Sequence, residues 1–115
     1  MTLKIYHNPR CSKSRQTLAL IEASSVQVDI IRYLETPPDG LELKGLQNRL
    51  GFGSARDMMR KGEALYKELG LKDEIDETLL IKAMAENPKL IERPIVDNGQ
   101  RAIMGRPPEN VKSLL

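Results

Sequence analysis

A chain of 115 residues with 40% apolar side chains is long enough for one domain with a hydrophobic core of its own. Its one cysteine and one histidine exclude an internal disulfide and leave too few soft ligands for a four-coordinate zinc site, so no metal is expected. A net charge of +2 from 18 basic and 16 acidic residues is too even for nucleic-acid binding by bulk electrostatics. With no secretory leader pattern and no apolar run near ~18 residues, the expectation is a cytoplasmic chain that meets neither nucleic acid nor membrane.

In chain order, "LKIYH" (residues 3–7) alternates and is rich in β-formers, which predicts a first strand ended by Asn8-Pro9. A helix follows, capped by Cys11 or Ser12, with Leu18, Leu20, Ile21, Ala19 and Ala23 as its buried side and Ser24-Ser25 as its end. "VQVDIIRYL" (26–34) predicts a second strand, closed by Thr36-Pro37-Pro38-Asp39-Gly40. Strand, helix and strand at this spacing imply a right-handed βαβ crossover. From Leu41 to Asn87 the text reads as helices: "LELKGLQNRLG", "SARDMMRKG", "LYKELGL" and "DETLLIKAMAENP". "RPIVDNGQRAIM" has the Asn98-Gly99 signature of a hairpin, and "RPPENVKSLL" closes with a short helix whose prolines suit its first turn. The expected fold is α/β: one domain over 1–115, a thioredoxin-like mixed four-stranded sheet with flanking helices. A helical insert of about 39–90 lies between its βαβ and ββα halves.

Residues 1–21 carry Lys4, Arg10, Lys13 and Arg15 with no acid, and Cys11 lies among them at the predicted helix start. Sulfur in that position meets free backbone N–H groups and the positive end of the helix dipole, which favours thiolate. Lowering a thiol from pKa ~8.5 to about 6.5 takes roughly 2.7 kcal/mol, and the dipole supplies about 0.3–1 kcal/mol. A cation about 4 Å away supplies about 4 kcal/mol at an effective dielectric of about 20, so arginine is expected to do most of the work. Arg15, at i+4 from Cys11, lies on the same helical face. The same parts suit a tetrahedral oxyanion. A lone intracellular cysteine is also commonly a small buried hydrophobe, and a strand-end His7 a structural hydrogen-bonding side chain.

"IYHNPRCSKSRQTL", "YLETPP", "SARDMMRKGEALYKELGL", "RPIV" and "GRPPE" resemble the ArsC family of arsenate reductases, in particular its short YfgD-like branch. The resemblance implies a thioredoxin-like fold and a cytoplasmic monomer. It also implies an oxidoreductase that reduces arsenate, or a similar oxyanion, to arsenite with no bound cofactor, using glutathione and glutaredoxin as reductants. By resemblance Cys11 is the nucleophile, Arg60, Arg93 and Arg106 hold the oxyanion, and His7 and Ser14 tune the thiol. Arg93-Pro94 is expected to be cis, with Pro94 facing the cysteine. Arg10, Ser12 and Lys13 depart from longer members, as does the lack of their C-terminal extension. Ser14 stands where a Cys-x-x-Cys protein has its second thiol, so an outside thiol is required. The alternatives are a glutathione-dependent thiol reductase with another substrate and an Spx-like regulatory binding protein. A thiol phosphatase lacks its Cys-x5-Arg loop here.

Overall fold

The computed structural model describes residues 2–115. The chain divides into two compact units, one of residues up to 36 together with 93–115, the other of residues 37–92.

Among the described residues the first unit holds four strands and one α-helix: β1 (Thr2–Tyr6), α1 (Ser12–Ala23), β2 (Gln27–Ile31), β3 (Ile95–Asp97) and β4 (Ala102–Met104). The sheet order is β2-β1-β3-β4. β1 and β2 run parallel with Ile5 opposite Ile30, whereas β1 with β3 and β3 with β4 are antiparallel. This is the α/β, thioredoxin-like mixed sheet that the order of elements predicts. Its core joins Leu3 and Ile5 of β1, Ile21 of α1, Val96 of β3, and Val111 and Leu114 of the closing helix. Removing each such side chain from water stabilises the fold by about 1.5–3 kcal/mol.

Four details differ from the sequence expectation. β2 stops at Ile31, because Arg32 starts a turn whose carbonyl accepts the N–H groups of Glu35 (2.9 Å) and Thr36 (2.8 Å). The buried side of α1 carries Ser14, Thr17 and Ile21, while Ala19 and Ala23 are exposed. The hairpin is present, but its loop is the four residues between the paired Asp97 and Ala102. Asn98 Oδ1 accepts the N–H groups of Gln100 (2.9 Å) and Arg101 (2.7 Å), which makes the loop self-satisfying. The closing segment Pro108–Leu114 is a 3-10 helix.

In the second unit lie α2 (Gly40–Leu50), α3 (Ala64–Glu68) and α4 (Glu77–Glu86). α2 starts on Asp39, whose carboxylate accepts the Glu42 N–H at 2.8 Å, and ends on Gly51 at φ 74, a left-handed turn that glycine makes without a Cβ penalty. Leu43, Leu46, Met58, Leu80, Met84 and Leu90 are fully buried. "SARDMMRKG" is not a full helix: only Ala55–Met58 coils, as a 3-10 turn. The reason is backbone pairing, since Glu92 N–H donates to the Met58 carbonyl (2.7 Å) and Arg60 N–H to that of Leu90 (2.8 Å), with Met59 bridged to Ile91. Glu77 receives the Ala55 N–H (2.7 Å) and the Ser54 hydroxyl (2.8 Å), and these two bonds hold its carboxyl below the usual range. Among the described residues no helix is long and apolar enough to cross a membrane.

Candidate active site

Asn8-Pro9 breaks β1, and the turn it opens delivers Cys11 to the first position before α1. Cys11 N–H donates to the Asn8 carbonyl (3.0 Å), and its own carbonyl accepts the first helical bond from Arg15 (3.0 Å). Cys11 is therefore the N-cap, in extended geometry at φ -94 and ψ 123, with 9% of its surface exposed. A cap ordinarily satisfies the free N–H groups of the first turn with a side-chain oxygen. Here the Ser14 and Lys13 N–H groups face sulfur instead, without the geometry of a formal capping bond.

Burial alone would push the Cys11 thiol up. It is outweighed by the Ser14 N–H, then by the charge of Arg93, the Lys13 N–H and the Arg106 guanidinium, so the thiol lies below its ordinary value. Arg106 Nη1 stands 3.9 Å from Sγ and also donates to the Arg93 carbonyl at 3.2 Å, which ties the two arginines of the β3 and β4 ends to one place. From the sequence, arginine is expected to take the leading part. The Ser14 N–H leads instead, and Arg106 comes last because it is exposed: a bare pair at that distance is worth about 4 kcal/mol at an effective dielectric of about 20, but solvent screening cuts exposed pairs to about 1 kcal/mol or less. A hydrogen bond to a charged group, about 1.5–3 kcal/mol, then matches or exceeds it.

Arg15 takes a different partner from the one its spacing suggests. Its Nη1 donates to the Pro9 carbonyl at 2.9 Å, so it braces the turn and is not among the groups that lower the thiol. Arg60 belongs to the second unit, where it pairs with Glu63 at 3.5 Å. His7 and Ser14 are both buried, with His7 Nδ1 and Ser14 Oγ 2.6 Å apart and the Asn8 N–H donating to the same oxygen at 3.0 Å. These bonds fasten the end of β1 to the first turn of α1 across the cysteine turn. Burial, and then Arg32, push His7 below its ordinary value, so it is neutral at neutral pH and adds no positive charge.

Arg93–Pro94 is cis, and Arg106–Pro107 is a second cis bond that the sequence gives no sign of. Gly105 is a residue that sequence reasoning passes over. A Cβ there would sit 2.6 Å from Pro94 Cγ and 2.6 Å from Thr17 Oγ1. Its N–H donates to the Pro94 carbonyl (2.8 Å), and its carbonyl accepts from Thr17 Oγ1 (3.4 Å). Gly105 thus lets the Arg93-Pro94 segment, α1 and the residue before Arg106 meet. The only sequence signal is a glycine ahead of "RPP", where no turn requires one.

A thiol titration followed by ultraviolet absorbance will find Cys11 ionising below an ordinary cysteine, and Arg106→Ala will move the midpoint upward. An unmoved midpoint would remove Arg106 from the electrostatics. Because the folded thiol is the more acidic, its ionisation adds stability fully present above the unfolded thiol pKa and lost as pH falls through the folded one.

A mixed four-stranded sheet with a single cysteine at the start of the helix that follows its first strand is the arrangement of a thioredoxin-like α/β protein. The chain belongs to the ArsC family, whose profile matches residues 6–114. It is 50% identical over 114 residues to an arsenate reductase of Neisseria meningitidis serogroup A, covering 98% of this chain and 97% of that one. It is 53% identical over 114 residues to the uncharacterized protein YfgD of Escherichia coli K12, covering 98% and 96%. Among solved structures it is similar to an arsenate reductase from Vibrio cholerae, with a TM-score of 0.97, 53% identity, and coverage of 100% of this chain and 98% of that one.

Proposed function

We propose that the protein reduces arsenate to arsenite with Cys11 as its one reacting group and glutathione and glutaredoxin as the source of electrons. The observation that carries this reading is the Arg106 guanidinium 3.9 Å from a sulfur whose pKa is depressed. A thiolate beside a guanidinium is arranged to receive an oxyanion and to attack its central atom. The names of the relatives at about half identity support the same choice of substrate.

The Cys11 thiolate bonds to arsenic(V), and one arsenic oxygen leaves as water after taking up two protons. Arg93 and Arg106 balance the charge on the remaining oxygens. A glutathione thiolate then bonds to the Cys11 sulfur. The electron pair of the sulfur–arsenic bond passes to arsenic, which departs as arsenite in the +3 state. Cys11 is left as a mixed disulfide with glutathione. Ser14 offers no second thiol to break it, so a glutaredoxin thiolate takes the glutathione and frees Cys11. This cycle suits a monomer in the reducing cytoplasm and calls on no bound cofactor. Phosphate matches arsenate in shape and charge, and only the reducibility of arsenic(V) by thiols separates them.

The test is arsenate-dependent NADPH oxidation in the presence of glutathione, glutaredoxin and glutathione reductase. Turnover with arsenate and none with phosphate is the expected result, and no arsenate-dependent oxidation overturns the reading. Arg93→Ala is expected to raise the KM for arsenate about 10–100-fold, the worth of one or two hydrogen bonds to a charged group. Arg60→Ala in the same assay tests the part that the resemblance gives to Arg60.

A further inference from the structure

A pocket of about 380 Å³ opens on the turn that carries the thiol, lined by His7, Asn8, Pro9, Arg10, Arg32, Leu34 and Glu35. Its volume falls in the range of small-molecule sites, about 300–1,000 Å³. Arg10 directly precedes Cys11, and Cys11 N–H is bonded to the carbonyl of Asn8, so the reacting residue is joined at both positions to the pocket wall. Two guanidinium groups and one carboxylate line it, with Leu34 as an apolar surface 45% exposed. Arg32 and Glu35 share one turn, through the Glu35 N–H bond to the Arg32 carbonyl at 2.9 Å. Among the described residues neither Arg10 nor Arg32 is held in an ion pair with Glu35.

A ligand complementary to this wall carries two carboxylates and one ammonium. The ammonium and one carboxylate lie close together, to meet Glu35 and Arg32, and the second carboxylate is set apart, toward Arg10. Three extended residues span about 10 Å, so a tripeptide is of the size that a pocket of about 380 Å³ takes. We infer that this pocket is the site of the thiol co-reactant. It binds glutathione through its γ-glutamyl end at Arg32 and Glu35 and its glycine carboxylate at Arg10, which presents the central thiol to Cys11. The inference rests on the thiol-coupled reading above, and it adds a site separate from the arginines proposed for the oxyanion.

The test needs no arsenate, so its failure and that of the arsenate reading are told apart. The Cys11 thiolate attacks one sulfur of oxidised glutathione. A sulfur–sulfur bond to Cys11 forms, the original one breaks, and one glutathione thiolate leaves, with no outside electrons required. Rates are compared with those for the neutral bis(2-hydroxyethyl) disulfide, which has no charges for the pocket to hold. Arg32 is not among the groups that set the Cys11 pKa. Arg32→Ala is therefore expected to slow exchange with oxidised glutathione about tenfold (1.4 kcal/mol) and to leave exchange with the neutral disulfide within about twofold. Glu35→Gln is expected to slow oxidised glutathione as well, because it loses the ammonium. Faster exchange in Glu35→Gln would mean plain attraction of anions and would overturn the assignment, as would an unchanged rate in Arg32→Ala. Equal slowing of both disulfides in Arg32→Ala would make the effect structural and would also overturn it.

Discussion

Cys11→Ser is expected to abolish arsenate-dependent NADPH oxidation, a loss of at least about a thousandfold. Serine keeps the shape of the side chain and its place before α1, so circular dichroism is expected to stay native. What it loses is twofold. A hydroxyl is not ionised at neutral pH, even with the Ser14 and Lys13 N–H groups and the Arg93 and Arg106 charges that draw the thiol down. Oxygen also cannot give up the electron pair that arsenic must receive. Since this is the only cysteine, no neighbour can stand in. Turnover within a few-fold of wild type would exclude covalent sulfur chemistry altogether.

The second large effect is expected at a residue with no side chain of its own. Gly105→Ala places a methyl group 2.6 Å from both Pro94 Cγ and Thr17 Oγ1, and 3.1 Å from Thr17 Cγ2. Neither neighbour retreats easily. The Pro94 carbonyl accepts the Gly105 N–H, while the Thr17 hydroxyl is tied to the Lys13 carbonyl at 2.8 Å inside α1. Overpacking of this kind costs about 1–3 kcal/mol, to be read as a lower urea midpoint at unchanged slope. Arg106 is the next residue, so the thiol pKa should rise in the variant that remains folded. An unchanged midpoint would mean that the segment can yield, and that Gly105 sets no geometry.

The elements built from short-range pattern were legible: β1 and α1 from the break at Asn8-Pro9, the parallel β2 from its β-branched run, the hairpin from Asn98-Gly99. The sequence also placed Cys11 at a helix start. What stayed hidden depends on contacts remote in sequence. The extended backbone at Met59 comes from pairing with Ile91, and no local propensity announces it. Arg15 has helical spacing from Cys11, but the carbonyl of Pro9 captures it first. That the Ser14 N–H leads and Arg106 comes last among the groups that lower the thiol goes with the exposure of Arg106, and exposure is not written in a motif. Gly105 reads as a loop residue until Thr17 and Pro94 are seen on either side of it.

The cap position of Cys11 has a consequence for how such a chain can change. Helix starts favour serine, threonine, aspartate or asparagine by about 0.5–2 kcal/mol over residues that cannot cap, and Cys11 forms no side-chain capping bond. The replacement expected to silence the protein is thus one that folding alone would welcome. Drift toward greater robustness and retention of reactivity pull this codon in opposite directions. The N–H groups of Ser14 and Lys13, which an oxygen cap would occupy, face the sulfur instead.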